Sequence, residues 1–321
     1  MQRPILLRSS LFSAAPLLLV LSNLVALGFG FSSSGCGTTT FPALDPNVQL
    51  TNGRFATNTS DGSVRFDWTG ATIAVMVTGT TSVAMNLTGS SQWTVLVDGA
   101  VSGVVQSAAP QPQPVALVSG LSEAGTHTIS IVKMAEALCG AVTFTGVTLD
   151  AGGKLLSSPR KTRRMVFLGD SITCGYGALG QMPCPGYSCG ASADAPKAQA
   201  NWESGYASYG ALLGRQFEAD TQIVCVSGAG FAHKWNQPGV APTDGGMTEK
   251  FGQVLGSGGA VSSNAINTSA FVPDAVIINI GTNDVGIPHG NVSSIWVETY
   301  VDFLRKCVRG HTARHLRRKS T

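Results

Sequence analysis

Between residues 41 and 152, apolar and polar residues alternate in short runs. In Val64–Trp68, for example, the apolar residues occupy every second position. Alternation of this kind is typical of half-buried β-strands, and Asp98-Gly99 is a hairpin turn signal. The region therefore predicts a β-sandwich of about seven strands. The remaining runs are 72–78, 82–87, 93–97, 115–118, 127–133 and 142–149, with a proline-marked loop at Pro110, Pro112 and Pro114.

The pattern changes after residue 164. Met165–Leu168, Gln222–Val226 and Ala275–Ile280 are predicted strands, and the last is an apolar stretch of the kind that is buried on both faces. Helical spacing occurs in two stretches between or after these strands. Strands that alternate with helices predict a parallel sheet with helices on its faces. The helices are 206–217, with Tyr206, Tyr209, Leu213 and Phe217 in register, and 294–307, with Ile295, Val301 and Leu304 available for packing.

The stretch 153–164 is polar and basic, and we interpret it as a linker between the two regions. The predicted organisation is a β-sandwich domain at 41–152, the linker, an α/β domain at 165–307 and an atypical basic tail at 308–321.

The N-terminus indicates export. Arg3 and Arg8 precede an apolar segment at 11–27, and small residues follow it. This order is that of a secretory signal peptide, which we place at 1–30. A membrane anchor is the alternative, but Pro16, Asn23 and the short apolar length favour the signal. We expect a secreted protein with no membrane span after signal removal, and a glycoprotein, because four sequons are present at Asn58, Asn86, Asn267 and Asn291.

Charge argues against nucleic acid as a partner. Seven basic residues are concentrated in 305–321, and without them the chain would be mildly acidic rather than +3. A nucleic-acid footprint needs a basic face with interleaved aromatic residues, which is missing.

The seven cysteines indicate disulfides rather than a metal site. Some are expected to pair in an oxidising compartment, and Cys184 and Cys189, which bracket a Pro-Gly turn, are the easiest local pair. No spacing matches a zinc site, so we expect no metal and no cofactor.

Three predicted strand ends carry residues suited to one reaction. Ser171 follows the first strand, Gly228 follows the second, and Gly281-Thr-Asn-Asp284 follows the third. The carboxyl ends of parallel strands share one edge of a sheet, so these residues are expected to converge. A hydroxyl nucleophile with backbone and amide donors is the set that acyl transfer requires. Taken alone, Ser171 is more often a turn residue that caps a helix. The stretch is not the G-x-S-x-G nucleophile elbow, because Thr173 replaces the second glycine.

The motifs GDSITCGYG, SGAG and GTND resemble the first three blocks of the SGNH, or GDSL-type, hydrolases. The preceding region, with VRFDWTG, VLVDG, GTHTISIVKMAEA and FTGVTLD, is similar to the N-terminal jelly roll of carbohydrate esterase family 2. The resemblance covers 64–307. It implies an all-β jelly-roll sandwich followed by a three-layer α/β/α, flavodoxin-like hydrolase domain that is incomplete at its C-terminus.

The same resemblance implies residue roles. Ser171 would be the nucleophile, and its own N–H, the Gly228 N–H and the Asn283 amide would form the oxyanion hole. Asp170 and Asp284 would hold loops. The substrates would be acetyl esters on polysaccharides such as xylan, or small acyl esters.

One block of the family is missing. The general base is a histidine in an Asp-x-x-His motif, and no aspartate of this chain has histidine three residues later. Two interpretations therefore stay open: a truncated chain that is inactive as written, or an active one in which His233 or His289, both weak candidates, is the base. His127 is expected to be structural, and His311 and His315 lie in the basic tail.

The sequence thus predicts a secreted carbohydrate esterase that removes O-acetyl groups through an acyl-serine intermediate. Trp202 and Trp235 are candidates for stacking on sugar rings, although core packing is the commoner role for tryptophan. Two alternatives remain open. One is a non-catalytic carbohydrate-binding or cell-wall protein, and the other is a GDSL lipase that acts on other small esters.

Overall fold

The computed structural model describes residues 37–108, 110–180, 203–231, 246–258, 264–285 and 296–305. These residues belong to one compact unit that spans 37–321. Across these ranges, no helix is both long enough and apolar enough to cross a membrane.

The first part of the chain forms two antiparallel sheets of six strands each. One has the order β3-β4-β11-β6-β9, with β1 on β11, and the other has the order β12-β5-β10-β7-β8, with β2 on β5. The strands are β1 Thr38–Pro42, β2 Gln49–Thr51, β3 Ala56–Asn58, β4 Ser63–Phe66, β5 Thr72–Thr78, β6 Ser82–Thr88, β7 Ser91–Val97, β8 Ala100–Ser107, β9 Gln113–Ser119, β10 Thr126–Lys133, β11 Val142–Asp150 and β12 Lys154–Leu156.

Apolar side chains from both sheets form one core, because alternate residues of each strand point to the same face. Its largest members include Phe66, Trp93 and Phe144, all fully buried. Phe66 and Trp93 meet edge to face, with ring centroids 5.8 Å apart. The predicted all-β region is confirmed, with a core of its own.

Five of these strands, β1, β2, β3, β8 and β12, are absent from the seven that the sequence predicts. Three have only three residues each, too short for alternation to show, and β8 is almost wholly exposed. The loop predicted around three prolines is also wrong in part, because Pro114 lies within β9. β9 is the last strand of its sheet, where proline's missing N–H costs no ladder hydrogen bond. β12 lies within the stretch expected as a linker and pairs with β5.

The second part contains a parallel sheet of three strands in the order β14-β13-β15. β13 spans Arg163–Gly169, β14 spans Ala219–Cys225 and β15 spans Ala275–Asn279. Gly169 lies opposite Cys225 on one side and Asn279 on the other, so the three strands end at the same level. The helices of this part are α1 Ser171–Cys174, α2 Tyr209–Gln216, α3 Met247–Lys250, α4 Thr282–Val285 and α5 at 296–305.

Alternate strand residues face two different apolar clusters. Phe167 and Ile223 pack with Tyr209 of α2, whereas Val166 and Val224 belong to the cluster that holds α5. The parallel sheet that the sequence predicts is therefore present, with helices packed on both of its faces.

Two details of this part correct the sequence-based expectation. β15 is not buried on both faces: Ala275 and Asn279 are exposed, because within the described residues β15 is an edge strand. The packing face of α5 is Trp296, Tyr300 and Phe303 rather than Val301 and Leu304. Val301 is 37% exposed, because it follows Tyr300 directly and points away from the sheet. Ile295 lies outside the described residues.

The sandwich and the parallel sheet are joined through buried polar contacts. Arg54 is 4% exposed and donates to Gln222 Oε1 at 2.9 Å and to the carbonyls of Phe251 and Gln253 at 2.7 Å. The indole of Trp68 donates to the Val254 carbonyl at 2.7 Å. These polar groups are shielded from water, so breaking one of the hydrogen bonds would leave a buried donor or acceptor without a partner, which is costly.

Candidate active site

Ser171 lies directly after the central strand of the parallel sheet. β13 ends at Gly169, and Ser171 is the first residue of α1. Asp170 caps this short helix and accepts a hydrogen bond from the Ile172 N–H at 3.1 Å. A side chain at position 169 would collide with Thr173, so the tight turn requires glycine. The serine is half-buried at the edge where the three strands end.

Thr173, which replaces the second glycine of the G-x-S-x-G motif, faces inward. It is fully buried, and its hydroxyl lies 2.9 Å from that of Tyr209 on α2. The turn therefore differs from a nucleophile elbow but is also fixed by packing.

Gly228 lies in the loop that follows β14. Its φ of +74° is in the left-handed region, which favours glycine. The preceding residue, Ser227, donates its N–H to Glu136 Oε2 at 2.7 Å. This loop is thus tied to a carboxylate that comes from the sandwich.

Asn283 and Asp284 lie in α4, just beyond β15. The Asn283 amide donates to the carbonyl of Ala229 at 2.8 Å, which places it beside the Gly228 loop. Asp284 is 2% exposed and accepts from the Phe231 N–H at 2.7 Å. The loops after β14 and β15 are therefore linked by two hydrogen bonds, next to the strand end that carries Ser171.

Two buried carboxylates, Asp170 and Asp284, lie at this edge. Burial raises the pKa of Asp170, and the charge of Asp284 raises it further, against the hydrogen bonds from backbone N–H groups. Both aspartates contact backbone amides. Asp170 contacts the segment that carries Ser171, and Asp284 contacts the segment that carries Gly228.

A disulfide joins Cys174 and Cys225, whose Cα atoms are 5.4 Å apart. The sequence reasoning missed this pair and favoured Cys184 with Cys189, which lie outside the described residues. Strand adjacency was the available signal. Cys225 is level with Gly169 in the parallel register, and Cys174 is one helical turn beyond it. The bond ties the Ser171 helix to the base of the Gly228 loop.

The sequence reasoning also missed Glu136, Glu203 and Lys133, which are buried beside this edge. Ligand atoms of Glu136, Glu203 and Cys174 lie within 4.8 Å of one another, as in a metal site. Cysteine binds metals as a thiolate, however, and the Cys174 sulfur is in the disulfide. The cluster therefore does not have the donors of a metal site.

Four of the candidate residues, Trp202, His233, Trp235 and His289, lie outside the described residues. His127 is in β10 of the sandwich, where its Nδ1 is 2.8 Å from Asp98 Oδ2.

Comparison with known proteins identifies both parts of the chain. Residues 51–159 match the family "Carbohydrate esterase 2 N-terminal" and residues 165–304 match "GDSL-like Lipase/Acylhydrolase". An acetylxylan esterase / glucomannan deacetylase of Cellvibrio japonicus is 30% identical over 280 residues, which are 85% of this chain and 71% of that protein. The cellulase/esterase CelE of Acetivibrio thermocellus is 30% identical over 270 residues, 83% of this chain, but the chain spans only 30% of its length.

Solved structures agree. The family two carbohydrate esterase from Cellvibrio japonicus has a TM-score of 0.72 and 26% identity, covering 86% of this chain and 77% of that one. The Clostridium thermocellum family two esterase, solved with cellohexaose, has a TM-score of 0.70 and 25% identity, covering 83% and 74%. The resemblance that the motifs indicated is thereby confirmed, and this chain belongs to carbohydrate esterase family 2, a family of ester-bond hydrolases.

Proposed function

We propose that this protein is a secreted carbohydrate esterase that removes O-acetyl groups from polysaccharide through an acyl-serine intermediate. The proposal rests on one observation. Ser171, Gly228 and Asn283 follow three parallel strands that end at the same level, and the last two are linked through Ala229.

In the proposed reaction, the Ser171 hydroxyl attacks the acetyl carbonyl while a base takes its proton. The carbonyl oxygen becomes an oxyanion, which the N–H groups of Ser171 and Gly228 and the Asn283 amide stabilise. An asparagine amide has two hydrogens, so Asn283 can hold Ala229 with one and the oxyanion with the other. The sugar hydroxyl then leaves with the proton, and water hydrolyses the acyl-serine.

The relatives support the substrate class. One is named an acetylxylan esterase / glucomannan deacetylase, and another was solved with cellohexaose. We propose that the substrate of the present chain is likewise an acetylated polysaccharide, and that the protein meets it outside the cell. We also propose the detailed fold, which is a jelly-roll sandwich at 41–152 followed by a flavodoxin-like, three-layer α/β/α domain at 165–307. Trp202 and Trp235 are proposed to stack on the sugar rings of the substrate.

The test is acetate release from acetylated xylan and from p-nitrophenyl acetate by wild type and Ser171→Ala. We expect the variant to lose at least about 1,000-fold in kcat/KM, because the nucleophile is gone. Ser102→Ala, an exposed serine on β8 of the sandwich, is the control and should retain full activity. Full activity of Ser171→Ala would overturn the proposal.

The base is identified by the same assay on His233→Ala and His289→Ala. Removing the histidine that serves as base should lower kcat/KM about as much as Ser171→Ala does, because nucleophile and base act as a unit. Xylan binding without any acetate release would favour the carbohydrate-binding alternative. Faster cleavage of long-chain than of acetyl esters would favour the lipase alternative.

A further inference from the structure

A carboxylate of the sandwich reaches the loop that carries Gly228. Glu136 follows β10 and precedes a short 3₁₀ turn at Ala137–Cys139. Its side chain is fully buried, and Oε2 accepts the Ser227 N–H at 2.7 Å. The N–H groups of Ser227 and Gly228 lie in consecutive peptide planes that are separated only by φ and ψ of Ser227, so fixing the first plane restricts the direction of the second N–H.

The Gly228 loop is held on both sides of this contact. Before it, the Cys174–Cys225 disulfide fixes the end of β14. After it, the Ala229 carbonyl accepts from Asn283 at 2.8 Å. Between the disulfide and the Asn283 contact, Glu136 holds Ser227, the residue that precedes Gly228. Gly228 then turns the chain with its left-handed φ of +74°.

A buried carboxylate needs compensation, and the charge of Lys133 contributes to it through space, since the ammonium itself donates to backbone carbonyls. Lys133 is fully buried on β10 and donates to the carbonyls of Ala135 at 2.7 Å and Glu136 at 3.3 Å. Burial lowers the pKa of this lysine, and the negative charges of Asp67, Glu203 and Glu136 oppose that shift. Burying the charges of Glu136 and Lys133 together is costly. This cost favours a role for Glu136 beyond packing.

We propose that Glu136 is a positioning residue for the oxyanion hole: through the Ser227 N–H it sets the Gly228 N–H, so the sandwich domain takes part in building the active site. This inference rests on the proposed esterase function. Glu136 acts in this proposal only through the backbone, because its effect reaches the Gly228 N–H through φ and ψ of Ser227.

The test compares Glu136→Ala, Glu136→Gln and the matched control Asp67→Ala. Asp67 is also a fully buried carboxylate of the sandwich, but its hydrogen bonds are with Gly256 and Ser257 rather than with the Gly228 loop. With p-nitrophenyl acetate we expect Glu136→Ala to lower kcat about 10- to 100-fold with little change in KM, because a small misplacement of the donor acts on the transition state. Glu136→Gln keeps an acceptor oxygen and should recover most of the kcat. Asp67→Ala should lose stability but keep kcat per folded molecule.

Amide hydrogen exchange provides a second measurement that is independent of catalysis. Exchange at Ser227 and Gly228 should quicken at least about 10-fold in Glu136→Ala and stay near the wild-type rate in Asp67→Ala, because only the first variant frees this loop. Unchanged exchange at both amides in Glu136→Ala would overturn the inference even for a protein without measurable activity.

The two proposals fail differently. If Ser171→Ala is inactive while Glu136→Ala keeps the wild-type kcat, the esterase stands and the positioning role is wrong. If Glu136→Ala and Asp67→Ala lower kcat equally, Glu136 is only a structural residue and the inference is also wrong. If Ser171→Ala remains fully active, the proposed function fails and the positioning role fails with it.

Discussion

At the residue scale, the proposed chemistry depends on the backbone conformation of Gly228. Its φ of +74° lies where a side chain is strained, and its N–H is the proposed oxyanion donor. The sequence placed this glycine after the second strand but could not show its conformation, because φ depends on the contacts of Ser227 and Ala229 with distant residues.

We expect Gly228→Ala to lower kcat for acetyl esters by about 100-fold or more, since the loop must shift to relieve strain and the donor moves with it. Gly62→Ala is the matched control. Gly62 has a φ of +71° with open space around it, in a turn of the sandwich. Both variants should lose about 1–2 kcal/mol of stability, but only Gly228→Ala should lose kcat. Equal kcat values would contradict this role.

The Asp150 carboxylate is expected to make part of the free energy of unfolding depend on pH in the acid range. Burial alone would raise its pKa, but hydrogen bonds from Ser82, Thr81 and Thr80 hold the pKa to about 2. A carboxyl with a lowered folded pKa stabilises the protein above its ordinary pKa, and this contribution is lost as pH falls toward 2.

We therefore expect Asp150→Asn to be less stable than wild type above pH ~4, with a difference that shrinks toward pH 2. Urea midpoints measured across this range would show it. The control Asp302→Asn alters an exposed ion pair on α5 and should give a small difference. A constant difference for Asp150→Asn down to pH 2 would be inconsistent with the lowered pKa.

At the scale of elements, α5 covers one face of the parallel sheet with aromatic side chains. Phe303 is 3% exposed and lies between the rings of Phe231 and Phe251, at centroid distances of 5.1 and 5.2 Å. Phe231 in turn donates its N–H to Asp284, so this packing supports the loops that carry the site.

We expect Phe303→Ala to lower the free energy of unfolding by about 3–5 kcal/mol. Val297→Ala, on the same helix but 51% exposed, should change it by less than about 0.5 kcal/mol. Equal effects of the two variants on chemical denaturation would show that the packing face has been assigned wrongly.

The elements differ in how far the sequence revealed them. Every predicted strand and helix corresponds to an observed element, because the spacing of apolar residues within a segment is enough to indicate a strand or a helix. The face of α5 was misjudged, since Trp296, Tyr300 and Phe303 and the aliphatic residues beside them offer competing stripes. Only the aromatic cluster around Phe231 decides between them, and that cluster is tertiary.

At the scale of the whole molecule, the sandwich and the parallel sheet share a buried polar boundary. The sequence predicted two regions in the correct order but not Arg54, Asp67, Lys133 and Glu136 at their junction. Burial of Arg54, Asp67 and Glu136 depends on hydrogen-bond partners at least 91 residues away in the sequence, such as Gln222 and Ser227. Nothing local in the sequence marks a charged residue as buried.

We expect Arg54→Ala to lower the free energy of unfolding by about 2–4 kcal/mol, because it leaves buried carbonyls without a donor. Arg65→Ala, on the exposed side of β4, should be nearly neutral. Tryptophan fluorescence and far-ultraviolet circular dichroism should report the same transition for wild type, since one boundary couples both parts. Two separate wild-type transitions would refute that coupling.

The central claim, that Ser171 is the acyl nucleophile of this protein, is tested most directly by covalent labelling. Wild type treated with diethyl p-nitrophenyl phosphate and analysed by peptide mass spectrometry should carry one phosphoryl group on the peptide that contains Ser171. Ser171→Ala should carry none. Absence of label on the Ser171 peptide in wild type, or equal labelling of Ser171→Ala, would contradict the account.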